Sequence, residues 1–331
     1  VLVLLCVACL AQARIVTDME GRKVRIPDHV GRVVTLSNDL VVYLYTLDRT
    51  KLLGWNHAPG EKARKFLDPS TLSLPELKTM SGKGMNEEVI LSLHPDLLLC
   101  SDEDEVLDAD ALQKRLKIPV VKVSTDLAKT PEVYELLGLC LGDRERAGKL
   151  AAYARATLSD VARKVASIPA SRRPRVYYAE GGDGLRTDLS GSTHAHVLDV
   201  LGVRNVAALP GNPLQGTVSV SFEQVMAWNP QAIVVGSMRQ VDARNMIQQD
   251  PRWKTIEAVR AGRVWRCPTL PFNWFDRPPS PVRLLGLRWL GGLLYPKEMP
   301  VDIAKETKGF YALFYGRKLS DGEVREILAQ D

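Results

Sequence analysis

Cysteine is scarce in this 331-residue chain: there are five, and two of them, Cys6 and Cys9, fall in the first ten positions. The other three, Cys100, Cys140 and Cys267, contain no C-x-x-C pair. At most one bridge can form among them, so disulfides do not organise the fold. Cys100 and Cys140 sit in apolar runs and read as small buried hydrophobes. Past Leu10 no stretch approaches about 18 uninterrupted apolar residues, so no membrane-spanning helix is expected. A block of one charge sign is also lacking: 44 basic and 39 acidic residues interleave to a net charge of +5. That pattern offers no basic stripe for nucleic acid. Enzyme signatures fail as well. There is no G-x-S-x-G, no H-E-x-x-H and no G-x-x-x-x-G-K-[ST], and Gly182-Asp183-Gly184 lacks the third glycine of a dinucleotide loop.

What is present is ordinary for a globular protein: 45% apolar and 25% charged residues exclude disorder, collagen and coiled-coil arrays. The length suits two lobes. Val1 to Leu10 is almost wholly apolar and is followed by Ala11-Gln12-Ala13, so residues 1–13 read as an export signal. Val7-Ala8 before Cys9 leaves a lipoprotein anchor as an alternative.

From Val33 onward, short apolar runs alternate with helical patterns. Strands are expected at Val33–Leu36, Leu52–Trp55, Leu97–Cys100 and Val120–Val123, with helices near Leu40–Leu47, Glu87–Leu93 and Leu107–Leu116. The alternation restarts after Pro174 with strands at Val176–Ala179, Ala232–Val235 and Val264–Arg266. Such alternation predicts parallel sheets covered on both faces. An internal echo supports duplication: Glu88 to Leu99 matches Glu223 to Val234 at a constant offset of 135 residues. In both copies a polar residue (Asn86, Ser221) opens a helix that stops before a proline (Pro95, Pro230), and a strand follows. Between the halves, Asp143 to Ser167 carries helical apolar spacing at Ala147, Leu150, Ala154, Leu158, Val161 and Val165, a rod of roughly 37 Å at about 1.5 Å per residue. The expected organisation is a lobe over 14–142, a connecting helix over 143–168, a second lobe over 169–279 and C-terminal helices over 280–331. Ser280-Pro281 and the capping box Ser320-x-x-Glu323 mark helix starts in that tail, with a further helix at Ala304–Phe314.

Several segments, in order, resemble the class III periplasmic substrate-binding proteins of ABC importers, which serve iron(III)-siderophores, haem and cobalamin. They are Val16 to Val24, Gly84 to Leu97, Gly202 to Ala207, Ser221 to Val225, and Trp253 followed by Ala261-Gly262-Arg263-Val264. The resemblance implies α/β architecture: two parallel-sheet lobes on one long backbone helix, a ligand cleft between them, and a monomer that docks on a membrane permease with its ATPase. It also implies that an acidic residue on each lobe meets permease arginines, and the matching positions are Glu88 and Glu223. Glu87 competes for the first position. A carboxylate in a first helical turn also stabilises that helix by about 0.3 to 1 kcal/mol with no partner.

Ligands of open parallel sheets sit beyond the carboxyl ends of the strands. The loops there carry Ser37-Asn38-Asp39, Trp55-Asn56-His57, Ser81 to Gly84, Ser101-Asp102-Glu103, Gly181 to Arg186, Ser237-Met238-Arg239 and Phe272 to Arg277. Lys83, Arg186, Arg239 and Arg277 are candidates to neutralise an anionic chelate, with Asn38 and Asp276 as polar neighbours. Trp55, Trp274 and Phe275 are candidates for flat apolar walls. The alternative is that the aromatics anchor loops in the core and that the arginines pair with Asp183 or Asp276. His194 at a helix start is a ligand candidate, whereas His194 and His196 two residues apart do not share a helix face. His57 is a candidate axial haem ligand, with Tyr43 or Tyr45 opposite; His29 and His94 read as surface positions. The leading expectation is capture of an iron(III)-siderophore, with metal held through the chelator. Haem, a corrinoid or a nickel chelate using His194 follow, and an exported α/β enzyme is the alternative from another class.

Overall fold

Runs of valine, leucine and isoleucine too short for helices build two parallel sheets. The computed structural model describes residues 13–78, 85–102, 107–212, 216–236 and 243–329. In the N-terminal half, Val33–Thr35, Leu97–Ser101 and Val120–Val123 form a three-stranded sheet in that order, with Leu98 opposite Val120. Every residue of these strands is buried, as expected of a sheet covered on both faces. In the C-terminal half the order is Val264–Arg266, Ala232–Val235, Arg175–Ala179, Arg204–Asn205, again parallel, with Val234 opposite Tyr178. An antiparallel hairpin, Ala13–Thr17 with Lys23–Pro27, precedes both sheets.

The expected strand at Leu52–Trp55 does not form. Leu52 bridges Val33 while Trp55 bridges Glu76, so the segment changes partner midway and no ladder propagates. Gly54 stands at the change, where a Cβ would lie 2.6 Å from Leu77 Cγ.

The internal echo is structural. Glu87–Ser92 and Phe222–Trp228 are helices whose first turns are capped by Asn86, accepting from the Val89 N–H, and by Ser221, accepting from the Gln224 N–H. Each copy reverses through a left-handed residue before its proline, His94 at φ 45° and Asn229 at φ 40°. Ile90 and Val225 point inward in the two copies, Leu91 and Met226 outward.

Helix Arg144–Ala166, capped by Asp143, buries one stripe: Ala147, Leu150, Ala151, Ala154, Thr157 and Val161. It packs on Thr130–Leu141 and on Arg283–Leu294. Gly138 permits the first crossing, since a Cβ there would meet Ala147 Cβ at 2.4 Å. In the tail, single turns at Ser280 and Pro281 lead into helix Arg283–Leu294, so the helix proper begins two residues past Pro281. Ile303–Phe310 continues into a wider π-type turn, Tyr311–Tyr315, ended by Gly316 at φ 64°. Asp321–Leu328 carries the expected Ser320/Glu323 capping box. Cys100, Cys140 and Cys267 are buried. Among the described residues no helix is long and apolar enough to cross a membrane.

Candidate functional site

A cavity of about 710 Å³ opens between Gly60–Ala63, from the N-terminal half, and the 266–278 loop, which leaves the carboxyl end of strand Val264–Arg266. Lys62, Arg266, Phe272, Asn273 and Arg277 line it, and Glu61 is the carboxylate on its wall among the described residues. The loop is pinned from within: Asn273 Oδ1 accepts from the N–H groups of Phe275 and Asp276, at 2.8 and 3.1 Å, and from the Cys267 thiol.

Behind the cavity lies a cage of charge. Glu180, the first residue after strand Arg175–Ala179, is fully buried together with Asp188 and Asp276. Arg277 enters this cage in a left-handed conformation, φ 52°. Its Nε donates to Glu180 Oε1 at 2.8 Å and its Nη2 to Asp188 Oδ2 at 2.8 Å, while Asp276 Oδ2 lies 3.3 Å from Nε. His194 adjoins the cage, with Nδ1 2.6 Å from Asp276 Oδ1. Three carboxylates thus face one guanidinium and one imidazole. Burial, opposed by Arg277 and reinforced by Asp188, pushes the Glu180 carboxyl up to about 7. For His194 burial pulls downward, but the hydrogen bond and charge of Asp276 outweigh it, and the imidazole is held above its ordinary value. The three carboxylates have the spacing of a metal site. The Arg277 guanidinium already serves as their cation, so the donor set does not call for an ion.

Several expected ligand contacts are structural instead. Trp55 is 1% exposed, donates from Nε1 to the Thr71 carbonyl, and joins Tyr45 and Phe272 in an aromatic seam between the halves. Trp274 and Phe275 are buried, the latter 4.3 Å from the Tyr178 ring, so neither offers a wall to ligand. The backbone turns these rings inward because Asn273 fixes the loop. Arg277 is paired not with Asp276 alone but with all three cage carboxylates. Arg186 is exposed and donates to Thr217 Oγ1 rather than to Asp183, which instead accepts from the Leu185 N–H; Arg186 does not line the cavity. Asn38 opens helix Asn38–Asp48 and is likewise not on the cavity wall.

His57 is exposed beside Glu76, at 3.4 Å. Tyr43 and Tyr45 are buried on a helix with their hydroxyls engaged by Thr130 Oγ1 and the Asp68 N–H, so the expected axial haem pair is not assembled. His194 and His196 address different carboxylates, Asp276 and Asp126. Lys83, Arg239, the 81–84 and 237–239 segments and Glu103 lie outside the described residues.

Glu88 and Glu223 are both exposed at matching places on their short helices. Glu87 is engaged by Arg115, which donates from Nη2 at 2.6 Å and from Nε.

Residues 33–270 match the model of a family described as periplasmic binding protein. The chain belongs to that family. It is a class III substrate-binding protein of an ABC importer, which binds a small ligand for a cognate permease and ATPase and is not an enzyme. Among solved structures it is similar to an ABC transporter solute binding protein from Sulfurospirillum deleyianum, 32% identical, covering 95% of this chain and 98% of that one at a TM-score of 0.87. It is 28% identical to the molybdate-binding protein MolA of Haemophilus influenzae over 91% of both chains. The structure of MolA bound to molybdate superposes with a TM-score of 0.75 at 26% identity, covering 93% of this chain and 99% of that one. A vitamin B12-binding protein of Salmonella typhimurium is 28% identical, over 63% of this chain and 72% of its own length.

Glu180, Asp188, Lys62 and Arg266 escape the sequence reading. Glu180 and Arg266 stand at the ends of expected strands and were open to discovery by the strand-end rule. Asp188 and Lys62 carry no motif: the turn that pairs Glu180 with Arg186 brings Asp188 to the cage, and long-range folding brings Lys62 to the cavity.

Proposed function

We propose that the cargo is an anionic metal species: a metal oxyanion of the molybdate type first, an iron(III)-siderophore second. The observation that carries this reading is the cavity wall, where Lys62 and Arg266 stand against one carboxylate, Glu61, beside Arg277, whose charge is engaged by the buried cage. The molybdate-binding relative supports the oxyanion. The volume of the cavity, far beyond the needs of a tetraoxo anion, favours the larger chelate as the second reading. A corrinoid or haem loses support because the expected tryptophan walls are buried in the core. In this reading lobes over 14–142 and 169–279, joined by the helix over 143–168, carry the ligand in the periplasm, and Glu88 and Glu223 contact the permease.

A thermal-shift panel with molybdate, tungstate, sulfate, a ferric hydroxamate, a ferric catecholate, haem and cobalamin tests it. A ligand at about 100 times its Kd, bound only by the folded state, adds roughly 2.7 kcal/mol of apparent stability. Shifts with molybdate and tungstate are expected. Shifts confined to a ferric chelate select the second reading, and shifts confined to haem or cobalamin overturn both.

A further inference from the structure

We propose that Lys62 is the residue that selects cargo by charge: on the cavity wall it is the cation left without a partner among the described residues. The proposal rests on the reading of the cargo as an anion and names the contact that enforces it. Three cations crowd the segment from Glu61 to Phe66, namely Lys62, Arg64 and Lys65, and the fold uses them differently. Arg64 donates from Nη2 to the Leu72 carbonyl at 3.3 Å. Lys65 pairs with Glu326 of the last helix and lies 5.0 Å from the centre of the Phe66 ring. Neither lines the cavity. Lys62 does line it, is exposed, and makes no hydrogen bond or ion pair with any described residue. The other cations of the wall are committed, Arg277 to the three cage carboxyls and Arg266 to a partner within the chain. A lysine ammonium is a compact point charge with three donors, so one standing unpaired on a wall offers them to the oxygens of an incoming anion.

The segment that carries Lys62 is anchored. Helix Glu61–Arg64 buries Ala63, and Phe66, 1% exposed, meets the Tyr311 ring edge-on at 6.3 Å. Arg317 donates to the Lys65 carbonyl and sets its guanidinium 5.4 Å from the centre of the Phe66 ring. Tyr311 also donates its hydroxyl to the carbonyl of Leu270, a residue of the opposite wall. One tail residue thus ties together the wall that carries Lys62 and the wall that carries Arg266. Glu61, exposed beside Lys62 on the same wall and likewise without a partner among the described residues, opposes an anion there. The two neighbours therefore act in opposite directions on a charged ligand, and that difference is what makes the contact testable. An exposed charge of this kind acts chiefly on the association rate.

The test measures the affinity and association rate of molybdate, and in parallel of a ferric tris-catecholate, with the intact protein. Lys62→Gln is expected to weaken whichever anion binds about fivefold at physiological ionic strength, mainly by slowing association. The difference from wild type should close in 1 M salt. The thermal midpoint without ligand should not move, because the Lys62 side chain holds no other residue in place. Lys62→Arg keeps the charge and should bind like wild type, whereas Glu61→Gln should tighten binding. Arg64→Gln is the control: it removes the same charge two residues away and off the wall, and is expected to keep wild-type affinity. Wild-type affinity and association rate in Lys62→Gln, an equal loss in Arg64→Gln, or weaker binding in Glu61→Gln overturns the proposal and leaves the anion reading standing. A wild-type protein that binds neither anion overturns the cargo reading, and the proposal with it.

Discussion

Arg277 Nε lies 2.8 Å from Glu180 Oε1, and Glu180 has no exposure to solvent. Removing the guanidinium would leave three buried carboxyl groups with the His194 imidazole as their remaining basic neighbour among the described residues. Truncating one side of a buried ion pair costs about 3–5 kcal/mol, because the remaining charge is uncompensated. Arg277→Met is expected to fall in that range, read as a lowered urea midpoint at unchanged slope. Arg277→Lys is expected to recover only part, since a lysine cannot fork between Glu180 and Asp188. A midpoint unchanged in Arg277→Met would mean that the cage is balanced by something other than Arg277.

The same cage makes stability depend on pH. Glu180 titrates near 7 in the folded protein, above its ordinary value of about 4.3. The folded state therefore binds a proton that the unfolded state has released. Its contribution is fully present below the unfolded value and is lost as pH rises toward about 7. Glu180→Gln keeps a neutral carboxamide in place and should flatten the stability profile between about pH 4.3 and 7. Denaturation midpoints across that window, compared with wild type, decide the matter; parallel profiles would assign the slope to other groups.

Gly286 sits where the tail helix crosses the site loop, and a Cβ there would come within 1.8 Å of the Trp274 carbonyl oxygen. Backbone cannot yield as a side chain does. Gly286→Ala is expected to destabilise by about 1–3 kcal/mol through overpacking. It should also weaken ligand binding, because the displaced loop carries Asp276 and Arg277. Gly309→Ala is the control: it lies in helix Ile303–Phe310 with no atom within 4 Å of the new Cβ, and should be neutral or stabilising by up to about 1 kcal/mol. Equal thermal midpoints for the two variants would refute the argument.

Much of the fold was legible because it is local. Val120–Val123 and Ala232–Val235 lie where apolar runs place them, and the 135-residue echo is matched by caps, left-handed turns and inward residues. Leu52–Trp55 misled because an apolar run records burial rather than pairing. The site was legible only in outline. The rule that ligands gather past strand ends led to the Phe272–Arg277 loop, and its place at a helix start singled out His194, but no periodicity tells whether Trp274 turns in or out. Asn273, which decides that orientation through three contacts, is an unremarkable polar residue in sequence. The cage was hidden for a different reason: Asp276 lies far along the chain from Glu180 and Asp188, and nothing in the sequence marks those two as its partners.

The glutamates proposed to dock on the permease give a prediction independent of the cargo. Glu88 and Glu223 are exposed on equivalent short helices, and each stands three residues before an exposed apolar residue, Leu91 at 42% and Met226 at 47%. Glu87, the competing first-lobe carboxylate, is occupied by Arg115, which holds it below the usual carboxylate range. The hydrogen bonds of Glu223 to its own backbone and to Ser221 likewise keep it ionised. An exposed ion pair is worth about 0–1 kcal/mol, up to roughly fivefold in affinity. Glu88→Gln and Glu223→Gln should each weaken binding to the reconstituted permease by no more than that, and together by the product of the two effects, since the sites are far apart. Ligand affinity should not change in either variant. Glu87→Gln should leave permease binding intact, and a larger loss there than in Glu88→Gln would move the contact one residue along the helix. High salt should reduce wild-type binding toward the level of the double variant, because such exposed charges are screened over about 8 Å at physiological ionic strength and over about 3 Å at 1 M.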